Sequence, residues 1–394
     1  MSTNLRIGFI PLIDAAALLV AVEHGFAAAE GLDITLVREV SWSNVRDKLN
    51  IGLLDAAHML SPMAIASTLG IGHVRVSLIA PFNLGMNGNA ITVSDSLYAA
   101  IAAKADGDLA DPAASARVLA SVVAERKAAG QRQLTFGITF PFSNHNYQLR
   151  FWMAAGCVDP DDDVRLVVLP PSYMVESLQN GQIDGFCVGA PWNSIAVAKG
   201  VGRILHFGSS IMARASEKVL AVRETWAEKN RDRLDALLRA LANAAALIES
   251  RTDRAGVAHA VARWLDVDKA LVARTLDGDL QIAAGGETRR SDRYLMIGRD
   301  GASRPDPVQA AWIYAQMVRW RQVPLSEEGV NAARAVFRSD LYDATFGTTS
   351  WRSLTPPDGV GCFAGPKFDS SDLRGYLAAW PSRIVSRPRL SVVR

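Results

Sequence analysis

Residues 140–152 read FPFSNHNYQLRFW and crowd Ser143, Asn144, His145 and Asn146 between two aromatic clusters. A hydroxyl, an amide and an imidazole at one turn have three ordinary uses: helix capping, proton transfer, or donation to a ligand rich in acceptors. Catalysis is the poorest fit. No GxSxG, HExxH, phosphate-loop or paired-histidine pattern occurs anywhere in the chain. The run Asp161, Asp162, Asp163 reads as a solvated turn before a strand, and His58 in DAAHML as a packed residue at a strand or helix end. Cys157, Cys187 and Cys362 are isolated from one another, which indicates neither a zinc site nor a disulfide framework. No metal and no cofactor are expected.

These residues need elements to position them, and the chain supplies the plan twice. LRIGFIPL at 5–12 resembles LTFGITFP at 134–141, DITLV at 33–37 resembles DVRLV at 163–167, and NIGLLDAAHM at 50–59 resembles NGQIDGFCVG at 180–189. Gly8 and Gly137, Gly52 and Gly181, and Asp55 and Asp184 are each separated by 129 positions. Each copy reads strand, helix, strand, helix, strand. Asp14 is expected to cap the first helix of copy one and Gly25 to end it; Ser143 or Asn144 caps its counterpart, which Gly156 ends. The strands are almost continuously apolar, as buried parallel strands are. The prediction is an α/β protein of two doubly wound lobes, a two-lobed periplasmic-binding-protein-like (type II) fold with a ligand cleft at the strand ends between them.

Length supports more than one core: 394 residues, 49% hydrophobic and 21% charged, are normal for a soluble globular chain of two or three units. Lobe I is expected over residues 1–93 and, after the chain returns, over 209–345; lobe II over 94–208. A C-terminal segment, 346–394, is expected to wrap the surface before a short helix at 371–379. Crossings between lobes are placed near 92–94 and 207–209. Helices are predicted at 114–130, 231–250, 257–265, 308–320 and 327–337, with a return strand at 219–226.

With the repeat in view, GFIPL, SWSNVRDKL, LDAAHMLSPM, GNAITVS, FPFSNHNYQLRFW, IDGFCVGAPWN and SEKVLAVRETW, in order through residues 8–226, resemble the nitrate- and bicarbonate-binding proteins of ABC transporters, the NrtA/CmpA family. One departure is Ala190, where that family often carries an acidic residue. The resemblance implies a ligand set. His145 and Lys218 are expected to contact a small oxyanion, Trp42 to offer its indole N–H, and Asn89, with Asn87 as a rival, to stand near a family glutamine. Pro171, at position 42 plus 129, faces Trp42 across the repeat and is expected to shape the pocket or present a carbonyl. Several donors plus positive charge, with water excluded, suit nitrate or nitrite.

A net charge of +2 gives no global field for nucleic acid or membrane, and the apolar run LLVAV at 18–22 is far too short to span a bilayer. Only MSTN precedes the first strand-like segment, so, with Met1 as the natural start, a cytoplasmic protein is expected. Family members of this kind resemble the NasS-type nitrate/nitrite sensor, whose implied partner is an RNA-binding ANTAR antiterminator (NasT-type) controlling nitrate assimilation genes. The alternatives are a solute-binding subunit of a nitrate or bicarbonate transporter and an enzyme of the related pyrimidine-synthesis type. The latter requires a lysine and histidine cofactor set not found here.

Overall fold

The structure, a computed structural model, describes residues 4–347 and 359–380. β1 (Leu5–Phe9) runs between and parallel to β2 (Ile34–Arg38) and β3 (Ala56–Leu60). The chain then forms β4 (Leu78–Asn87) and β5 (Asn89–Val93). In the second copy, β6 (Thr135–Ile138) runs between and parallel to β7 (Arg165–Val168) and β8 (Gly185–Gly189). β9 (Arg203–Phe207) precedes the return strand β10 (Ser216–Arg223), and three short strands follow: β11 (Asp279–Gln281), β12 (Thr288–Arg290) and β13 (Leu295–Met296). One sheet has the order β13-β4-β10-β3-β1-β2, the other β7-β6-β8-β5-β9, and β11 pairs with β12. This is the expected α/β architecture of two doubly wound lobes.

The repeat has a physical cause. Asp55 Oδ2 accepts from the Arg6 N–H at 2.9 Å, and Asp184 Oδ2 accepts from the Thr135 N–H at 2.8 Å, the same bond in each copy. It gives an N–H at the start of each central strand, on Arg6 in β1 and on Thr135 in β6, a carboxylate acceptor. A Cβ on Gly8 would lie 2.4 Å from Leu54, and one on Gly137 2.6 Å from Met174 and 3.2 Å from Ile183, so both strands need glycine for the loop leucine or isoleucine to pack. Gly52 and Gly181 both turn through positive φ, 83° and 66°.

The first crossing differs from expectation. The chain passes between sheets at Asn87 and Gly88, both in the left-handed region with φ of 59° and 85°, so Asn89–Val93 belongs to the second sheet, antiparallel to β8 and β9. Residues 78–93 are buried throughout, and hydrophobicity carries no mark of the break. The Asn-Gly pair marks it instead. Asn87 clamps the hinge: its Nδ2 donates to the carbonyls of Ala213 and Arg293, and its Oδ1 accepts from Ala215 N–H, all at 2.8–2.9 Å. It is therefore a structural amide, not a rival ligand.

Helices cover Pro112–Ala128, Arg231–Ser250, Arg254–Leu265, Pro307–Arg319 and Glu327–Val336, each within a few residues of its predicted span. The return strand begins at Ser216 rather than 219 and gives way at Glu224 to a short helix. Of the C-terminal segment, residues 348–358 and 381–394 lie outside the described residues. The described part carries the helix Leu373–Ala378 and packs both on the lobe II helix Asn144–Ala155, with Trp380 edge-on to Phe151 at 5.0 Å, and on the helix Pro307–Arg319, with Gln316 Nε2 donating to Tyr376 Oη at 3.1 Å. Among the described residues no helix is long and apolar enough to cross a membrane.

Candidate functional site

The helix Asn144–Ala155 begins where β6 has ended, at the carboxyl edge of the lobe II sheet, and Ser143 is its N-cap, its Oγ accepting from Asn146 N–H at 3.1 Å. Asn144 is therefore free of capping and reaches across the cleft, its Nδ2 donating to the Ser216 carbonyl at 2.5 Å and to Ser61 Oγ at 3.3 Å. His145 is wholly buried beside it. From the facing lobe come Trp42, the first residue of a helix capped by Ser41, and Lys218 near the start of β10.

The centre is a charged cluster without solvent exposure. Lys218 Nζ lies 2.8 Å from Asp14 Oδ2 and 3.3 Å from Glu217 Oε1, and 5.5 Å from the centroid of the Trp42 ring. His58 Nε2 meets Asp14 Oδ1 at 2.9 Å, Asn89 Nδ2 donates to Glu217 Oε2 at 2.8 Å, and His145 Nδ1 stands 3.2 Å from Glu217 Oε1 and 3.2 Å from Thr139 Oγ1. Trp42, Asn89, His145 and Lys218 are thus brought together, linked through Glu217 and Asp14. Pro171 is not joined to them by any hydrogen bond or ring contact among the described residues. It is buried at the head of a short turn, and its carbonyl already accepts from Met174 N–H.

Two readings change. Asp14 sits in the turn Ile13–Ala15 and makes no capping bond, because its carboxylate is drawn to Lys218 and His58. His58 is buried as expected, but in β3 and as part of the charged cluster. Glu217 carried no functional signal in the sequence. In a regular strand, neighbours point to opposite faces, and Glu217 and Lys218 would part. The β4–β10 ladder shifts register between Ser216 and Lys218 and again between Lys218 and Val219, and this irregularity lets both meet the cluster. Gln148, one turn beyond His145, is also buried and close to Asn89: a Cβ on Gly208 would lie within 2.8 Å of both side-chain oxygens. An i, i+3 reading of that helix finds it.

The electrostatics follow from burial. Burial raises the Asp14 carboxyl, but Lys218 and His58 outweigh it and hold the pKa at about 2. Burial raises Glu217 to about 7 against the pull of Lys218, with Asp14 adding to the rise. Burial opposes the charge on Lys218, yet the two carboxylates hold its pKa above the ordinary lysine value. Burial and Lys218 push His145 well below the usual imidazole range, so the ring is neutral. Several polar atoms of this cluster lack a protein partner: His145 Nε2, Trp42 Nε1, Asn89 Oδ1, Asn144 Oδ1 and both amide atoms of Gln148. A buried N–H without a partner costs about 1–3 kcal/mol. Nε2 of His145 opens toward Gly189, where a Cβ would sit 3.7 Å from it and 3.3 Å from Asp14 Oδ2. The arrangement can hold a small planar acceptor between an ammonium, an imidazole and an indole, with a helix N-terminus behind the imidazole.

The fold and site define a two-lobed binding protein. Residues 1–265 match the NMT1-like family, and the chain belongs to it. It is 30% identical over 388 residues to the nitrate/nitrite binding protein NrtA of Synechococcus elongatus, spanning 95% of this chain and 85% of that relative. It is 32% identical over 382 residues to the nitrate import ATP-binding protein NrtC of Synechocystis, covering 95% of this chain but 54% of that relative. The chain thus spans about half the length of NrtC and of the bicarbonate transport protein CmpC, 55% of which it covers. The crystal structure of the periplasmic nitrate-binding protein NrtA from Synechocystis superposes with a TM-score of 0.85 at 26% identity, over 96% of this chain and 99% of that one. The NrtA relatives are named as nitrate- or nitrate/nitrite-binding proteins, not as enzymes.

Proposed function

We propose that this protein binds nitrate or nitrite between its lobes, through Lys218, His145 and Trp42, with Asn89 and Gln148 completing the wall. The observation that carries this is the convergence of a buried ammonium and two unpartnered ring nitrogens from opposite lobes. A singly charged planar oxyanion answers all three, and it offers almost no apolar surface to compete with water elsewhere. Ala190 supports the reading. It lies in an apolar core cluster with its carbonyl accepting from Ile13 N–H at 2.9 Å, so the acidic residue common there in the family is absent from a site that already holds two carboxylates. Calorimetry with nitrate and with nitrite tests it, and absence of heat at millimolar concentrations of both overturns it.

In the cell, we infer a cytoplasmic regulator: the anion favours the closed arrangement of the lobes, and an RNA-binding ANTAR antiterminator prefers the open one, so ligand releases it by differential affinity. This extends the resemblance to NasS-type sensors. A second reading, a solute-binding subunit of a nitrate or bicarbonate transporter, is favoured by the overlap with the whole of a periplasmic NrtA. Pull-down with the full chain separates them. Recovery of an ANTAR protein that nitrate releases supports the regulator; recovery of transporter membrane subunits overturns it.

A further inference from the structure

Among the described residues Lys218 is the one cation in direct contact with both carboxylates of the site, Asp14 at 2.8 Å and Glu217 at 3.3 Å. The groups facing Glu217 from each packed element are Lys218 on its own strand, Asp14 on the turn Ile13–Ala15, His145 on the helix Asn144–Ala155, and Cys187 on β8, whose thiol burial and Glu217 keep protonated. His58 and Tyr294 stand behind Asp14, the imidazole neutral by burial and the phenol protonated by burial. With both carboxylates ionised the cluster carries an excess negative charge before any ligand arrives. A further anion in a site excluded from water would face repulsion that one ammonium does not offset.

The histidine adds a second constraint. Nδ1 of His145 is hydrogen-bonded with Thr139 Oγ1 at 3.2 Å and also stands 3.2 Å from Oε1 of Glu217, so an ionised Glu217 favours the ring proton on Nδ1 and a protonated Glu217 relieves that preference. If Nδ1 carries the ring proton, Nε2 of the neutral ring is bare and turns a lone pair toward the ligand. If Glu217 is protonated, Nδ1 accepts, and the ring proton moves to Nε2, where it donates. Only the second arrangement binds an anion.

We propose that Glu217 is a positioning residue through which the site takes up its anion together with one proton, the protonated carboxyl fixing His145 as an Nε2–H donor. This rests on the anion-binding reading above. The proton comes from solvent, resides on Glu217, and leaves with the anion. The raised Glu217 carboxyl, at about 7, places the uptake in the neutral range.

The test is calorimetry of nitrate binding to the full chain, at several pH values, in two buffers with different heats of ionisation. Above the Glu217 midpoint the heats are expected to differ by an amount matching about one proton taken up per anion, and affinity to fall about tenfold per pH unit. Glu217→Gln, neutral at every pH, is expected to bind with buffer-independent heat and a flat pH profile. Should that variant fail to fold, the proton count on the parent protein decides alone. Binding with identical heats in both buffers and constant affinity across the range overturns the inference and leaves the anion site standing. No nitrate binding at any pH overturns both.

Discussion

Asp14 and Lys218, far apart in sequence, are held 2.8 Å from each other at the junction of the lobes, with 1% and 0% of their side chains exposed. The pair is a buried charge network rather than a free cation awaiting a ligand. Two of the ammonium hydrogens point at carboxylates, which leaves one for an anion.

Replacing Lys218 by Met therefore removes more than a ligand contact. Asp14 and Glu217 are left buried without their cation, and stability is expected to fall by about 3–5 kcal/mol, read from urea denaturation, with nitrate binding lost. Asp14→Asn in the same chain is expected to recover part of that loss. Strictly additive losses in the double variant would show that the two side chains do not interact.

Gly189 tests the position of the ligand. Alanine there adds a methyl 3.3 Å from Asp14 Oδ2, 3.6 Å from Leu12 Cδ1 and 3.7 Å from His145 Nε2, contacts the fold can absorb. Nitrate affinity is expected to drop by about tenfold or more while the denaturation midpoint barely moves. Unchanged affinity would place the anion elsewhere.

Asp55→Asn and Asp184→Asn each weaken a repeated bond to a central strand. A loss of about 1–3 kcal/mol is expected from each. Asp184 should lie at the upper end, because it also holds Arg132 through two contacts of 2.8 Å. The two losses should add, as the sites share no partner; denaturation of the double variant checks this.

Stability should respond to pH at both ends. Asp14, lowered from 3.8 to about 2, contributes stability that is complete above its unfolded value and lost as pH falls through about 2. Glu217, raised from 4.5 to about 7, acts with the opposite sign: its contribution is complete below its unfolded value and is lost as pH rises through about 7. Thermal midpoints should fall between about pH 4.5 and about 7 in the ligand-free protein and level off above, and Glu217→Gln should flatten that fall. An equal slope in both proteins would remove Glu217 from the explanation.

His145, Trp42, Asn89 and Lys218 were singled out through the resemblance to the nitrate- and bicarbonate-binding family, with the repeat adding only that His145 and Trp42 stand where a strand has ended and a helix begins; the structure places the four in one cluster. The two lobes were legible because apolar strands and fixed glycines recur at one spacing. Glu217 was not, because the shifts in the β4–β10 ladder that turn it toward Lys218 depend on how two strands register. Asp14 looked like a cap because local sequence offers a carboxylate at a helix start. Its partners, Lys218 and His58, come from β10 and β3, and only folding brings them within reach. The crossing at Asn87 and Gly88 was hidden in an unbroken buried stretch.

By itself, then, the sequence determined what short-range patterns encode: strands and helices, their duplication, and which polar groups lie at element ends. The tertiary structure alone decided which charges meet. Burial and pairing are properties of neighbours distant in the chain, and they set how strongly Glu217 holds a proton and which nitrogen of His145 is left without a partner.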